Sequence, residues 1–187
     1  VNRLFDSLFD LSAFDAGQVR LAVEPVSVAS VIRALQEEYE PLAAAKGLSL
    51  RVRVRDATLR TDEVRLKRMI GNVLSNAIKY TPPGRKVLLA VRPDAGRVRV
   101  EVWDQGIGIP ARQIDQVFQE FFRADGGSQL APDGLGIGLA LVARLADALR
   151  ARVSVDSIEG RGTRVALTLN DVEAEPSRRV QLSTASG

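Results

Sequence analysis

Two pairs of strand-like segments, each joined by a short glycine-containing turn, constrain the fold of this chain more than any other feature. Residues 87–91 pair with 98–103 across a turn at 94–96, and residues 153–156 pair with 163–169. Strands joined this tightly run antiparallel. Helical patterns separate the two pairs, and the sequence has neither a GxGxxG pattern nor a P-loop lysine. It therefore predicts an α/β two-layer sandwich, with helices on one face of a mixed sheet, rather than a doubly wound parallel fold.

Start and stop signals mark the helices of this sandwich. Ser27 is typical of an N-cap, and the helix after it should run to about Lys46, with a kink or an early break at Pro41. Asp62 should open a second helix that ends near Lys79, before the turn residues 81–84. We further predict strands at 21–23 and 48–54, a short helix at 113–118, and a helix that opens at 134–138 and ends near 149.

Composition excludes several kinds of chemistry. The 187 residues contain no cysteine and no histidine, which excludes disulfides, thiolate metal sites, cysteine nucleophiles and a phosphohistidine formed within the chain. No run of about 18 apolar residues is present. The net charge is only +3, and the basic residues are scattered, so they indicate a solvated surface and no nucleic-acid partner. The chain begins with Val1, and we expect further sequence upstream of it.

The helix that starts at Asp62 has two different faces. Its core face should carry Leu66, Ile70, Val73, Leu74 and Ala77. Asn72, Asn76 and Lys79 cluster on roughly the opposite side, with Tyr80 at the edge. Amide oxygens can ligate Mg²⁺, and lysine can bind phosphate. The alternative interpretation is an ordinary solvated helix face.

Two glycine-rich segments indicate places where backbone approaches a ligand. Residues 104–110 (DQGIGIP) put Asp104 at a strand end, where its carboxylate could accept a hydrogen bond from the exocyclic amine of adenine. Residues 134–139 (GLGIGL) lead into a helix whose first N–H groups could face an anion. Each segment alone has an ordinary structural alternative. Residues 104–110 could form a turn capped by Asp104, and residues 134–139 could form a glycine hinge.

In this order and spacing, the three segments resemble the N, G1 and G2 boxes of the GHKL ATPase superfamily. Residues 118–123 (FQEFFR) resemble the F box of histidine kinases, and residues 160–163 (GRGT) resemble the final glycine box. Residues 72–82 (NVLSNAIKYTP) are similar to the histidine-kinase form of the N box. The resemblance covers about residues 20–170 and implies a Bergerat fold, with ATP and Mg²⁺ as ligands.

For the phosphate end of such a site, the resemblance implies that Asn76 ligates Mg²⁺, with Asn72 near the γ-phosphate and the metal. Lys79 would contact phosphate, and Arg123 would reach the γ-phosphate from the F box. The hinge and phosphate cradle of a lid would comprise Gly134, Leu135, Gly136 and Gly138.

For the base end, the resemblance implies that Asp104 binds adenine N6, with Gly106 and Gly108 making room for the ring. Tyr80 would lie near the sugar and base. Thr163 would support Asp104 through its hydroxyl or through a water.

The same resemblance implies the domain organisation. Residues 1–19 look like the end of a dimerisation-domain helix and its linker, although an amphipathic helix packed on the domain is the alternative. Residues 20–170 would form the catalytic ATP-binding domain, and residues 171–187 a polar, disordered tail. In the family, the acceptor histidine lies on the helix that precedes this region.

The implied activity is transfer of the ATP γ-phosphoryl group to a histidine outside this chain, as in two-component signalling. The implied partners are the histidine-bearing dimerisation domain of the same full-length protein, as a homodimer, and a downstream response regulator. We expect this part of the protein in the cytoplasm, with membrane anchoring of the full-length protein left open. The alternatives are a non-catalytic nucleotide-binding module, a serine kinase and a GHKL ATPase. An ATPase of this superfamily carries a glutamate at the position of Asn72.

Overall fold

A five-stranded mixed sheet with helices on one face organises the chain. The computed structural model describes residues 20–94, 96–124 and 135–171. Its helices are α1 (Val28–Ala45), α2 (Glu63–Tyr80) and α3 (Gly138–Ala148), with a 3-10 helix at Ala111–Gln116. Its strands are β1 (Glu24–Ser27), β2 (Ser49–Val54), β3 (Thr58–Thr61), β4 (Lys86–Asp94), β5 (Arg97–Asp104), β6 (Arg152–Ile158) and β7 (Gly162–Leu169).

The strand order confirms the predicted mixed sheet. The main sheet runs β2-β4-β5-β7-β6, and β1 pairs with β3 in a separate antiparallel ribbon. Only the β2–β4 pair of the main sheet is parallel; the other three pairs are antiparallel. Both predicted hairpins, β4–β5 and β6–β7, are present.

Alternation along the strands places the core between the sheet and the helices. Val98, Val100 and Val102 of β5 are buried, as are Val87 and Leu89 of β4. Each fully buried side chain of this size contributes about 1.5–3 kcal/mol relative to an exposed one. The predicted core face of α2 is confirmed, because all five of its members are buried: Leu66, Ile70, Val73, Leu74 and Ala77.

Side chains cap both predicted helix starts. The Ser27 hydroxyl accepts a hydrogen bond from the Ser30 N–H at 3.3 Å, and Asp62 accepts one from the Arg65 N–H at 3.0 Å. The second carboxylate oxygen of Asp62 accepts the Ala22 N–H at 3.0 Å and pairs with the Arg65 guanidinium. Asp62 is only 1% exposed, so this one residue both starts α2 and anchors the segment that enters the domain.

The first strand was predicted at the wrong position. The strand expected at residues 21–23 lies instead at Glu24–Ser27 and includes Pro25. Proline is tolerated there because alternate residues of a two-stranded ribbon turn their N–H groups away from the partner strand. The partner, β3, was not predicted, since it is four residues long and follows β2 closely.

The early break that was one of the two expected effects of Pro41 does not occur. Helix α1 continues through Pro41 to Ala45. Pro41 and Glu37 both lie on the exposed side of α1, so water can bond to the Glu37 carbonyl that proline leaves without a partner. Burial of Tyr39 and Ala43 on the other side keeps the last turns packed on the domain.

Smaller differences concern element ends. The short helix expected at residues 113–118 is the 3-10 helix Ala111–Gln116, and α3 begins at Gly138. Within the described part of the chain, no helix is long and apolar enough to cross a membrane.

Candidate functional site

The C-terminal half of α2 carries the polar residues predicted to form the phosphate end of the site. Asn72, Asn76 and Tyr80 are half-buried, and Lys79 is exposed. The Asn72 amide nitrogen donates to the Arg68 carbonyl at 2.8 Å, one turn back. This bond uses one of the two N–H groups of the amide, so both the amide oxygen and the second N–H group of Asn72 are able to face a ligand.

Asn76 lies directly against the first residue of α3. A Cβ placed on Gly138 would be 3.2 Å from the Asn76 amide nitrogen and 3.3 Å from its amide oxygen. The N-terminus of a helix presents unpaired N–H groups and the positive end of the helix dipole. The predicted metal ligand and the predicted anion-binding helix start therefore occupy one place, although they are 62 residues apart in sequence.

Asp104 ends β5 and turns its carboxylate back toward the loop that follows. One oxygen accepts the Gly106 N–H at 2.7 Å and the Thr163 N–H at 3.1 Å. Burial raises the pKa of the carboxyl to about 6, and these two backbone hydrogen bonds only partly oppose that rise. An aspartate that is desolvated in this way is suited to accept a hydrogen bond from a ligand.

The loop after Asp104 packs so closely on its neighbours that only glycine fits at position 108. The Ile107 N–H donates to the Tyr80 carbonyl at 3.2 Å, and the Gly160 N–H donates to the Ile107 carbonyl at 2.7 Å. Gly108 has φ 68°, and a Cβ there would overlap the Ile158 carbonyl. The loop thus joins the end of α2 to the β6–β7 hairpin, with Gly106 between Asp104 and Tyr80.

The F box packs against the segment that leads into α3. Gly136 has φ 71°, and a Cβ there would overlap the Phe122 carbonyl. Glu120 pairs with Arg144 of α3 at 3.7 Å. Arg123, next after Phe122, is half-buried. Of the other predicted lid residues, Leu135 is exposed, and Gly134 lies outside the described residues.

Thr163 supports Asp104 by a different route from the one expected. Its backbone N–H, rather than its hydroxyl, donates to the carboxylate. The Thr163 hydroxyl instead lies 2.8 Å from the hydroxyl of Ser157, which also accepts the Ile109 N–H at 2.8 Å. Sequence analysis missed Ser157. Its signal is the hairpin register, which pairs Ser157 with Thr163 on one face of the sheet.

Lys46 is a second residue that the sequence analysis did not assign to the site. Its ammonium donates to the Ile78 carbonyl at 2.8 Å and to the Lys79 carbonyl. These are among the last carbonyls of α2, which have no partner within the helix. Burial lowers the pKa of Lys46. Lys46 therefore caps the helix end that carries Lys79 and Tyr80, from a position just after α1.

Comparison with known proteins shows the family of this chain. Residues 61–173 match the family model described as histidine kinase-, DNA gyrase B-, and HSP90-like ATPase. The autoinducer 2 sensor kinase/phosphatase LuxQ of Vibrio parahaemolyticus is 32% identical over 174 residues, which is 89% of this chain and 20% of LuxQ. The chain thus spans about a fifth of the length of this curated relative.

Two solved structures share the fold. The mycobacterial sensor histidine kinase MprB has 28% identity and a TM-score of 0.69, with 81% of this chain and 100% of that chain covered. Full-length ShkA, solved in complex with AMPPNP, has 28% identity and a TM-score of 0.76, with 94% of this chain and 38% of that chain covered. This chain therefore belongs to the family of histidine kinase-, DNA gyrase B- and HSP90-like ATPases, as an ATP-binding catalytic domain of the sensor histidine kinase type.

Proposed function

We propose that this chain binds ATP with Mg²⁺ and transfers the γ-phosphoryl group to a histidine on another segment or chain. The observation that carries the proposal is the placement of two unlike groups at the two ends of one surface. A desolvated acceptor, Asp104, lies at one end, and Asn76 lies against the N-terminus of α3 at the other. The backbone bond between Ile107 and Tyr80 joins the two ends.

At the base end, Asp104 accepts the N6 amine of adenine. Its two backbone hydrogen bonds fix the carboxylate, and its partial burial limits competition from water. Gly106 and Gly108 let the loop backbone approach the flat ring, and Tyr80 contacts the sugar and base.

At the phosphate end, Asn76 would hold Mg²⁺ through its amide oxygen, and Asn72 would face the γ-phosphate. The metal would neutralise phosphate charge as the transfer proceeds. Lys79 and Arg123 supply further positive charge, and the first N–H groups of α3 bind a phosphate oxygen. Residues 135–138 would supply the hinge and the backbone cradle of a lid over the phosphates.

The transfer itself needs little covalent help from this chain. The neutral imidazole nitrogen of the acceptor attacks the γ-phosphorus, an N–P bond forms, the bond to the bridging oxygen breaks, and ADP leaves. Hydrolysis would instead require a base to activate water. Asn72 occupies the position of that base, and an amide cannot take up a proton. This favours the kinase over the ATPase.

Because the sequence contains no histidine, an acceptor histidine has to lie outside this chain. We propose that the acceptor is a dimerisation domain of the same full-length protein, working as a homodimer in the cytoplasm, where ATP is available. A response regulator would take the phosphoryl group next.

The test is phosphotransfer in trans. The chain is incubated with γ-labelled ATP and Mg²⁺, with and without a purified dimerisation domain taken from the full-length reading frame. We expect label only on the added domain, and the label should be acid-labile, as phosphohistidine is. Acid-stable label on the chain itself would indicate a serine or threonine kinase. No label on a folded acceptor, despite ATP binding, would favour a non-catalytic module.

A further inference from the structure

We propose that Ser157 is a specificity-determining residue, which directs the Thr163 hydroxyl so that the site presents only hydrogen-bond acceptors to position 6 of a purine. This inference rests on the proposed ATP site and deepens it. Ser157 is on β6, and the carboxylate it serves is on β5, so its contribution depends on the strand β7 that lies between them.

The Ser157 hydroxyl has three polar neighbours. It accepts the Ile109 N–H at 2.8 Å, it donates to the Gly162 carbonyl at 3.1 Å, and it lies 2.8 Å from the Thr163 hydroxyl. A serine hydroxyl has one proton and two lone pairs. The Ile109 N–H can only donate, and the Gly162 carbonyl can only accept.

These constraints fix the direction of the remaining bond. Either hydroxyl could donate in the Ser157–Thr163 contact, but only one assignment makes all three contacts hydrogen bonds. In it, the single proton of Ser157 goes to the Gly162 carbonyl, which can only accept. One lone pair of Ser157 receives the Ile109 N–H, and the other receives the proton of Thr163. The Thr163 hydroxyl is then a donor toward Ser157, and only its lone pairs remain for a ligand.

Thr163 is placed to use those lone pairs at the base end of the site. Its N–H donates to the Asp104 carboxylate, so its side chain starts next to the group that we propose contacts adenine. The hairpin register puts Ser157 and Thr163 on the face shared by Val155 and Val165, which is the face that packs toward the helices. The proposed nucleotide surface, formed by α2 and the start of α3, is on that side.

The consequence is discrimination at one atom of the base. The 6-amino group of adenine donates hydrogen bonds, directly or through water, and meets acceptors from both Asp104 and Thr163. The 6-oxo group of hypoxanthine or guanine is an acceptor and meets lone pairs. Sites built to pair a ligand donor reject analogues that leave buried polar groups unpaired.

The experiment compares ATP with inosine triphosphate, which carries oxygen in place of the 6-amino group. Affinities are measured by calorimetric titration for the wild-type chain and for Ser157→Ala. Removing the Ser157 hydroxyl frees the Thr163 proton to turn toward a 6-oxo group. We expect the ratio of ATP to inosine triphosphate affinity to fall by about tenfold, which corresponds to one ordinary hydrogen-bond preference.

Two further variants complete the design. Ser157→Thr keeps a hydroxyl on a β-branched side chain suited to a strand, so its ratio of ATP to inosine triphosphate affinity should match that of the wild type. Thr163→Val removes the acceptor while Ser157 stays intact, and its ratio should fall by a similar factor. This second variant tests the same hydrogen-bond chain if Ser157→Ala fails to fold.

The possible results separate the inference from the function on which it rests. If Ser157→Ala weakens both nucleotides by the same factor, Ser157 only braces the loop, and the inference is overturned while the ATP site stands. An unchanged ratio in Thr163→Val would overturn it equally. If the wild-type chain binds neither nucleotide, the proposed function fails, and the inference fails with it.

Discussion

At the scale of single residues, Asp104 shows how a fold keeps a carboxylate that is unfavourable for stability. Burial raises its pKa to about 6, although two backbone N–H groups donate to it. A raised pKa means that the folded protein resists ionisation of this group more than the unfolded chain does. The ionised group therefore opposes folding at neutral pH, which is consistent with a role in ligand binding.

Replacing Asp104 with asparagine should stabilise the protein while weakening ATP binding. Asparagine keeps an oxygen for the Gly106 and Thr163 N–H groups and removes the desolvated charge. A rise from 3.8 to about 6 corresponds to up to about 3 kcal/mol at neutral pH. This destabilisation by the ionised carboxylate disappears as the pH falls below about 4, where the folded and unfolded states are both protonated. It grows as the pH rises, until the pH passes 6.

Urea unfolding of both proteins at pH 4 and pH 7.5 measures this effect. The stability advantage of Asp104→Asn should be small at pH 4, close to the pKa of the unfolded carboxyl, and should be nearly complete at pH 7.5. A variant that is less stable than wild type at pH 7.5 would show that the carboxylate is instead a structural group.

At the scale of secondary-structure elements, α2 is positioned at both ends by side chains from outside it. Asp62 caps its start, and Lys46 caps its end from the turn after α1. Buried Thr81 adds a bond from its hydroxyl to the Ala77 carbonyl at 2.6 Å. The last turn of α2 carries Lys79 and Tyr80, so the caps that fix this turn also position the proposed site.

Removing the cap at Lys46 should loosen this end of α2. Lys46→Met keeps the length of the side chain but leaves the Ile78 and Lys79 carbonyls without their donor, at a cost of about 1–3 kcal/mol. Hydrogen exchange should quicken at the C-terminal turn of α2 and leave the first turns protected. Lys46→Arg is the matched control, since it keeps a cation and donors. Unchanged exchange in Lys46→Met would exclude a capping role.

Element types were predictable from sequence where a local signal was strong. Capping residues marked the starts of α1 and α2, and short glycine-containing turns marked both hairpins. What failed depended on tertiary context. β3 exists because β1 lies beside it, and Pro41 is tolerated because it lies on the exposed side of α1.

The candidate site divides in the same way. Asp104, Asn76 and the glycines stood out as motifs along the chain. Lys46 did not, because its partner Ile78 is 32 residues away. Ser157 did not, because its bond to the Ile109 N–H spans 48 residues, and its bond to Thr163 depends on the register of the β6–β7 hairpin. Thr163 was predicted to support Asp104, but through its hydroxyl or a water. Its backbone N–H makes the bond instead, because of strand geometry that composition does not reveal.

At the scale of the whole molecule, the two faces of the sheet have different roles, one in the core and the proposed site and the other in an ion-pair cluster. The helix face carries the core and the proposed site. On the opposite face, Glu101 is only 5% exposed and is surrounded by Arg92, Arg99 and Arg164. Burial alone would raise the pKa of Glu101, but the hydrogen bond and charge of Arg164, with the charge of Arg92, lower it overall. Arg164 also lies 5.0 Å from the centre of the Trp103 ring.

Substitution at Glu101 should therefore affect the fold and leave nucleotide binding unchanged. Glu101→Gln removes the charge that Arg92, Arg99 and Arg164 share, and it should lower the free energy of unfolding by about 1–3 kcal/mol. ATP affinity of the folded variant should match wild type, because this cluster is on the face away from α2. Chemical unfolding and titration of the same sample compare the two effects. A large loss of affinity in a folded variant would contradict the separation of the faces.

The central claim is that one nucleotide site has its base end at Asp104 and its metal end at Asn76. The most direct measurement is ATP affinity with and without Mg²⁺ for the wild type, Asp104→Ala and Asn76→Ala. Asp104→Ala should weaken ATP by about one to two orders of magnitude in both conditions, through loss of a charge-assisted hydrogen bond. Asn76→Ala should abolish only the increase in affinity that Mg²⁺ produces. Full Mg²⁺ dependence in Asn76→Ala, or unchanged affinity in a folded Asp104→Ala, would contradict the account.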